Sequence, residues 1–243
     1  MLRSARLAMD AATAPSGARR DEIQRGLAEV RAAVQRCQQQ DARLVAVSKY
    51  KPAADILAAY EAGQRHFGEN YVQELCDKAA ALPADIQWHF IGRLQSNKCK
   101  ALAAIPNLWA VETVESADKA RRLDDAWRGA GHAQPLGVFL QVNTSGEANK
   151  GGVPLDDAAA VASEIADGCP ALRLRGLMTI GSIDGSQQRP NPDFAALAQL
   201  RGAIRQATGA ELELSMGMSG DFEHALELGA TNVRVGSSIF GSR

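Results

Sequence analysis

Residues 42–63 read ARLVAVSKYKPAADILAAYEAG. Ala42–Lys49 is an apolar, β-branched run of strand length. The alanine-rich segment after Pro52 reads as a helix, which Gly63 closes. The same unit then repeats. His66–Asn70 precedes YVQELCDKAAAL, and Gln87–Gly92 precedes a helix starting near Asn97. Leu108–Val114 precedes SADKARRLDDAWRGAG, and Leu136–Asn143 precedes PLDDAAAVASEIADG. Leu172–Gly181 precedes PDFAALAQLRGAIRQATG, Glu213–Ser219 precedes DFEHALELGA, and Asn232–Gly241 ends the series with a truncated helix. Strands alternating with helices of this length pair in parallel through right-handed crossovers. Eight units predict a closed (β/α)8 TIM barrel, with the helical pattern at 21–40 (Ile23, Leu27, Val30, Val34) added at its start. An open doubly wound sheet is disfavoured, because no strand runs into a G-x-G-x-x-G turn. The longest expected loop is Ile183–Pro192, after strand six, on the side where barrels keep their active sites.

The whole chain is compatible with one such domain. It has 243 residues, with 27 Lys and Arg against 28 Asp and Glu. A net charge of −1 offers no basic footprint for nucleic acid and no polybasic membrane patch. Cys37, Cys76, Cys99 and Cys169 form no C-x-x-C pair, and the four histidines form no H-E-x-x-H, which argues against a metal site. Scattered single thiols fit a reducing compartment, and the expectation is a cytoplasmic monomer. Residues 1–20, rich in Ala and Arg, are expected to be a flexible tail. A mitochondrial presequence is the alternative reading. The barrel domain is expected to span 21–243.

Strand side chains in a barrel point into its interior or under its helices, and neither is water. A charge there must be paired or used. This rule selects Lys49, His89, Arg173, Arg175 and Arg234. Arg173 and Arg175 come early in strand six, at the face where conserving the fold matters more than chemistry, so structural ion pairing is expected for them. Lys49 shares its direction with Val45 and Val47 at the end of strand one. A desolvated lysine amine is the nucleophile that a Schiff base requires, whereas a lysine snorkelling to solvent would have no such role. Lys51 falls at the rim. The loops after strands seven and eight, LSMGMSGD and RVGSSIFG, bring Ser215, Gly217, Ser219, Gly236, Ser237 and Ser238 to the place where barrels bind phosphate. The competing reading is that Ser219 caps the following helix and the glycines make turns. Asn70 opens an N-x-x-Q pattern and is expected to cap the next helix, with a ligand bond possible beside that role. His89 reads either as an internal core histidine or as a site residue.

The ordered segments AVSKYKP, FGENYVQE, WHFIGRLQSNK, QVNTSGEANKGG, LRGLMTIG and LSMGMSGDFEHALELGATNVRVGSSIFG together resemble the pyridoxal phosphate homeostasis proteins, from about Asp21 to Arg243. Asn149 and Gly220 depart from the usual pattern. The resemblance implies the barrel of the alanine racemase N-terminal domain and pyridoxal 5′-phosphate (PLP) covalently bound to Lys49. It implies Arg234 facing the pyridine nitrogen and Asn70 near the ring. It also implies a phosphate cradle of Ser215, Ser219, Gly236 and Ser237, and His89 is placed with these cofactor-binding residues. The implied function is vitamin B6 homeostasis by buffering or delivering PLP, with PLP-dependent apo-enzymes and amino acids as partners. A low-activity racemase or lyase is the alternative, and a Schiff-base aldolase is a further one. Robust turnover is not expected. An arginine gives no proton to the ring, and the sequence ends at Arg243, directly after strand eight, without the domain that supplies the racemase tyrosine.

Overall fold

The computed structural model describes residues 16–242. Eight parallel strands form its centre: β1 (Arg43–Val47), β2 (His66–Glu69), β3 (Gln87–Phe90), β4 (Leu108–Val114), β5 (Leu136–Asn143), β6 (Leu172–Met178), β7 (Glu213–Ser215) and β8 (Asn232–Val235). Each pairs with the next, and β8 returns to β1 with Arg234 opposite Val45, so the barrel closes. Closure removes every edge from the ring. A two-residue strand, Val153–Pro154, adds to the end of β5 outside the ring.

The helices are α1 (Gly17–Cys37), α2 (Ala53–Glu61), α3 (Val72–Ala81), α4 (Cys99–Ala103), α5 (Ala117–Gly129), α6 (Ala158–Gly168), α7 (Ile183–Ser186), α8 (Pro192–Thr208), α9 (Phe222–Glu227) and α10 (Ser237–Phe240). The main core lies between strands and helices, where Phe67, Trp88, Phe90, Phe194 and Phe240 are fully buried. Inside the ring, Ala110, Phe139 and Met178 form a small apolar cluster of their own, beside the buried polar side chains of His89, Glu112, Ser215, Asn232 and Arg234.

The first helix is structural. It starts at Gly17, four residues before the predicted start, with the Ser16 hydroxyl accepting from Arg19 N. Its buried face of Ile23, Leu27, Val30, Ala33 and Val34 packs on α2, α9 and α10. Burying each large apolar side chain contributes about 1.5–3 kcal/mol. The truncated α10 leaves the place of the eighth helix open, and α1 fills it. A Cβ at Gly26 would lie 2.7 Å from the Ser238 carbonyl oxygen, so glycine permits this close approach. Arg19 fastens the seam through Asp55 at 2.6 Å and the Phe240 carbonyl at 2.8 Å. Of the expected tail or presequence at 1–20, residues 1–15 lie outside the described residues, and Gly17–Arg20 form the first turn of α1 instead of a flexible tail.

Two local expectations change. The loop at Ile183–Pro192 contains α7, capped by Ser182, and Asn191 caps α8 through bonds from Asp193 N and Phe194 N. Of the two strand-six arginines, Arg175 is tied to Glu213 and stacks on Trp109, whereas Arg173 is exposed.

Candidate functional site

A cavity of about 490 Å³ opens at the C-terminal ends of the strands. Lys49, Asn70, Ser219, Arg234, Gly236 and Ser237 all line it. Among its lining residues are three cations, Lys49, Lys51 and Arg234, and no carboxylate. Val47, Ile91, Met178, Ile180 and Met218 form its apolar walls.

Lys49 sits two residues beyond β1, half-buried, in a turn where Tyr50 adopts a left-handed φ of 62°. A buried clamp holds this turn. Lys78 donates to the Ser48 carbonyl at 2.9 Å, to Glu69 at 2.7 Å and to Glu74 at 2.7 Å. Ser48 donates to Glu69 at 2.6 Å, and Tyr50 N donates to Glu74 at 2.7 Å. Burial pushes the Glu69 carboxyl upward, and Lys78 opposes that shift. Lys78→Met is expected to destabilise the fold by about 3–5 kcal/mol in urea unfolding, because it leaves Glu69 buried without its cation. A loss under about 1 kcal/mol would show that the clamp contributes little.

Asn70 does not cap α3. That helix begins at Val72, Tyr71 occupies the cap position, and no side-chain cap bond forms. The Asn70 Oδ1 is buried without a hydrogen-bond partner. Such an atom costs about 1–3 kcal/mol unless something else donates to it. Gly92 lets β3 pass close to the Asn70 backbone, where a Cβ would strike the carbonyl.

Ser219 does not cap α9 either. Asp221 is the residue before that helix, and its carboxylate accepts from Met218 N at 2.7 Å. Ser219 Oγ instead accepts from Gly236 N at 3.2 Å, which joins the two loops. Gly236 passes so near β1 that a Cβ would meet the Val47 carbonyl at 3.1 Å. Ile239 N and Phe240 N donate to the Gly236 carbonyl at 3.0 Å and 2.9 Å, whereas the N–H groups of Ser237 and Ser238 precede the first bond of this turn, as at any helix start.

The structure puts Ser215 and His89 outside this cavity. Both are fully buried in the barrel interior beneath it. Ser215 Oγ donates to Glu112 Oε2 at 2.5 Å and accepts from Arg234 Nη1 at 2.5 Å. His89 Nδ1 meets Glu112 Oε1 at 2.5 Å, and its Nε2 meets His66 Nδ1 at 2.9 Å. Ser215 is therefore engaged below Arg234, bonded to Glu112, Asn232 and Arg234. Arg234 bridges the two regions: it lines the cavity, donates from Nη2 to the Thr179 carbonyl at 2.9 Å, and approaches Glu112 to 4.0 Å.

Glu112, His66 and Asn232 were not selected from the sequence. Glu112 lies in mid-strand, in LWAVETV, and satisfies the same rule that selected Arg234. Burial favours its neutral form, but the His89 bond, Arg234 and Ser215 together hold it below the usual carboxylate range. Burial keeps His89 neutral against the pull of Glu112.

His66 opens on a second cavity, of about 700 Å³, at the opposite end of the barrel. Burial, then the neighbouring His89, lower its pKa from 6.5 to about 3. The unfolded chain therefore binds more protons between those values, and stability falls as pH drops through that window. His66→Gln is expected to flatten the fall in urea midpoint on acidification, most clearly above the range where carboxylates titrate. An unchanged slope would remove His66 from the acid response.

The upper cavity suits an anionic aromatic aldehyde. Lys49 supplies an amine, Arg234 a fixed cation, Asn70 an unsatisfied acceptor, and the Ser219–Ser237 edge hydroxyls and N–H groups. The residues present fit PLP on these grounds.

Residues 21–243 match the family described as alanine racemase, N-terminal domain. The pyridoxal phosphate homeostasis protein of Schizosaccharomyces pombe is 51% identical over 201 residues, covering 82% of this chain and 84% of that protein. The human protein of the same name is 49% identical over 210 residues, covering 83% and 76%. This chain belongs to the pyridoxal phosphate homeostasis protein family. A solved structure of PipY from Synechococcus elongatus with PLP bound is 35% identical, with a TM-score of 0.76 over 90% of this chain and 100% of that one. Alanine racemase from Corynebacterium glutamicum is 16% identical with a TM-score of 0.71, covering 92% and 62%, a likeness of fold alone.

Proposed function

We propose that this protein binds PLP in the upper cavity, holds it as a Schiff base on Lys49, and buffers or delivers it within the cell. The observation that carries the reading is the meeting of Lys49, Arg234 and the unpartnered Asn70 Oδ1 in one cation-lined cavity. PLP when bound supplies an electrophilic aldehyde and an electron-withdrawing ring. The chain's residues do the rest. The turn after β1 presents the Lys49 amine, and the mouth of the cavity gives an incoming amine access to it. The hydroxyls of Ser219 and Ser237 and the N–H groups of the α10 start suit a phosphate. Arg234 is buried and fixed, and a guanidinium has no proton to spare for a ring nitrogen. That restrains carbanion chemistry and favours storage over turnover. The expected carrier is a cytoplasmic monomer, and PLP-dependent apo-enzymes and amino acids are its expected partners.

The reading is tested by loading the purified protein with PLP, removing the excess, and adding an apo-enzyme. Activity of the acceptor should rise at a rate comparable to, or faster than, that with the same total of free PLP. Negligible transfer would count against delivery.

A further inference from the structure

Glu112 is fully buried in the barrel interior, where His89, Ser215 and Asn232 all bond its carboxylate. With His89 neutral and Nδ1 facing the carboxylate, the hydrogen must sit on Nδ1. Nε2 is then an acceptor and receives the Nδ1 hydrogen of His66. The single hydroxyl hydrogen of Ser215 points to Glu112 Oε2, and Asn232 Nδ2 also donates to the carboxylate, at 3.2 Å and 3.3 Å. Ser215 Oγ therefore has only lone pairs to offer upward, and these take Arg234 Nη1 at 2.5 Å and Asn232 Nδ2 at 3.0 Å. A guanidinium is planar. Anchors on its two terminal nitrogens, Ser215 at Nη1 and the Thr179 carbonyl at Nη2, fix its plane.

We propose that Glu112 is a positioning residue for the upper cavity: by setting the direction of the Ser215 hydroxyl, it fixes which N–H edge of Arg234 faces the ligand. Its effect on PLP rests on the proposed function; its effect on Arg234 does not. The geometry argues for positioning because Glu112 is not among the residues lining the upper cavity, while Arg234 is held at 4.0 Å through an intervening hydroxyl with a defined donor direction.

The test uses two variants, Ser215→Ala and Glu112→Gln, and two readouts. In the PLP-free protein, nitrogen-15 relaxation of the Arg234 guanidinium reports its rotation. Rotation should be restricted in the parent protein and faster by roughly tenfold or more in Ser215→Ala, the scale of losing one charge-assisted hydrogen bond. In the loaded protein, both variants should still be labelled at Lys49 on borohydride reduction, with a shifted absorption band and faster PLP release. Rotation unchanged in Ser215→Ala would overturn the proposal. Faster rotation with an unaltered band and release rate would also overturn it, because Arg234 orientation would then not matter to the ligand. If Glu112→Gln does not fold, Glu112→Asp decides: its shorter carboxylate should also speed the Arg234 rotation, and unchanged rotation there would overturn the proposal. If the parent protein takes up no PLP, the proposed function fails, and the rotation comparison still tests the positioning of Arg234.

Discussion

Lys49→Ala is expected to reduce the borohydride-fixable PLP label to background and to remove the absorption band of the bound cofactor. The effect is large because, of the two amines that line the cavity, Lys49 alone has the position and freedom required. Lys49 lines the cavity half-buried on a turn clamped from below by Lys78. Lys51 lines the same cavity, but its Nζ donates to the Ser242 carbonyl at 3.0 Å, toward the chain end. Stability should change by less than about 1 kcal/mol, since the substitution removes a half-buried side chain and buries no unpaired group. The loss of label therefore reports on chemistry and not on folding. A persisting label on Lys49→Ala would move the covalent site elsewhere.

Arg234→Glu has the largest expected effect on stability. Arg234 is 4% exposed, and its Nη1 lies 4.0 Å from a fully buried Glu112. A second carboxylate here would force one of the pair to take up a proton or the core to open. Even Arg234→Met, which adds no charge, leaves Glu112 uncompensated and should cost about 3–5 kcal/mol. Adding Glu112→Gln to Arg234→Met should recover part of that loss, so that the double variant is more stable than the sum of the single effects allows. Urea midpoints measure each value. Strict additivity would mean that the two side chains do not compensate one another. The expected change in the cofactor spectrum of Arg234 variants follows only in those that still fold.

Much of this arrangement was legible before the structure. The alternation of strand and helix patterns marks all eight rungs, because fully buried parallel strands read as apolar runs bounded by turns. Arg234 stands out as a charge on such a strand and Lys49 as one at the end of an apolar run, although β1 itself stops at Val47. Three features were not legible, each for a physical reason. The role of α1 as the missing eighth helix depends on tertiary contact with α2, α9 and α10, which periodicity does not report. Asn70 and Ser219 carry cap signatures, but neither side chain bonds a helix start: Asn70 turns inward, and Ser219 is taken by Gly236 N. Ser215 and His89 have residue types suited to a ligand, yet they lie in the polar interior under the cavity, where their hydrogen bonds go to Glu112. Glu112 itself was within reach of the buried-charge rule, which singled out cations and a histidine and passed over this carboxylate.

The central claim is that Lys49 is the residue that carries PLP. The most direct measurement is mass spectrometric peptide mapping of the intact protein after incubation with PLP and reduction with borohydride. The account predicts one phosphopyridoxyl group per chain, on the peptide containing Lys49. A modification confined to Lys51 or any other lysine, or no modification at all, would contradict it.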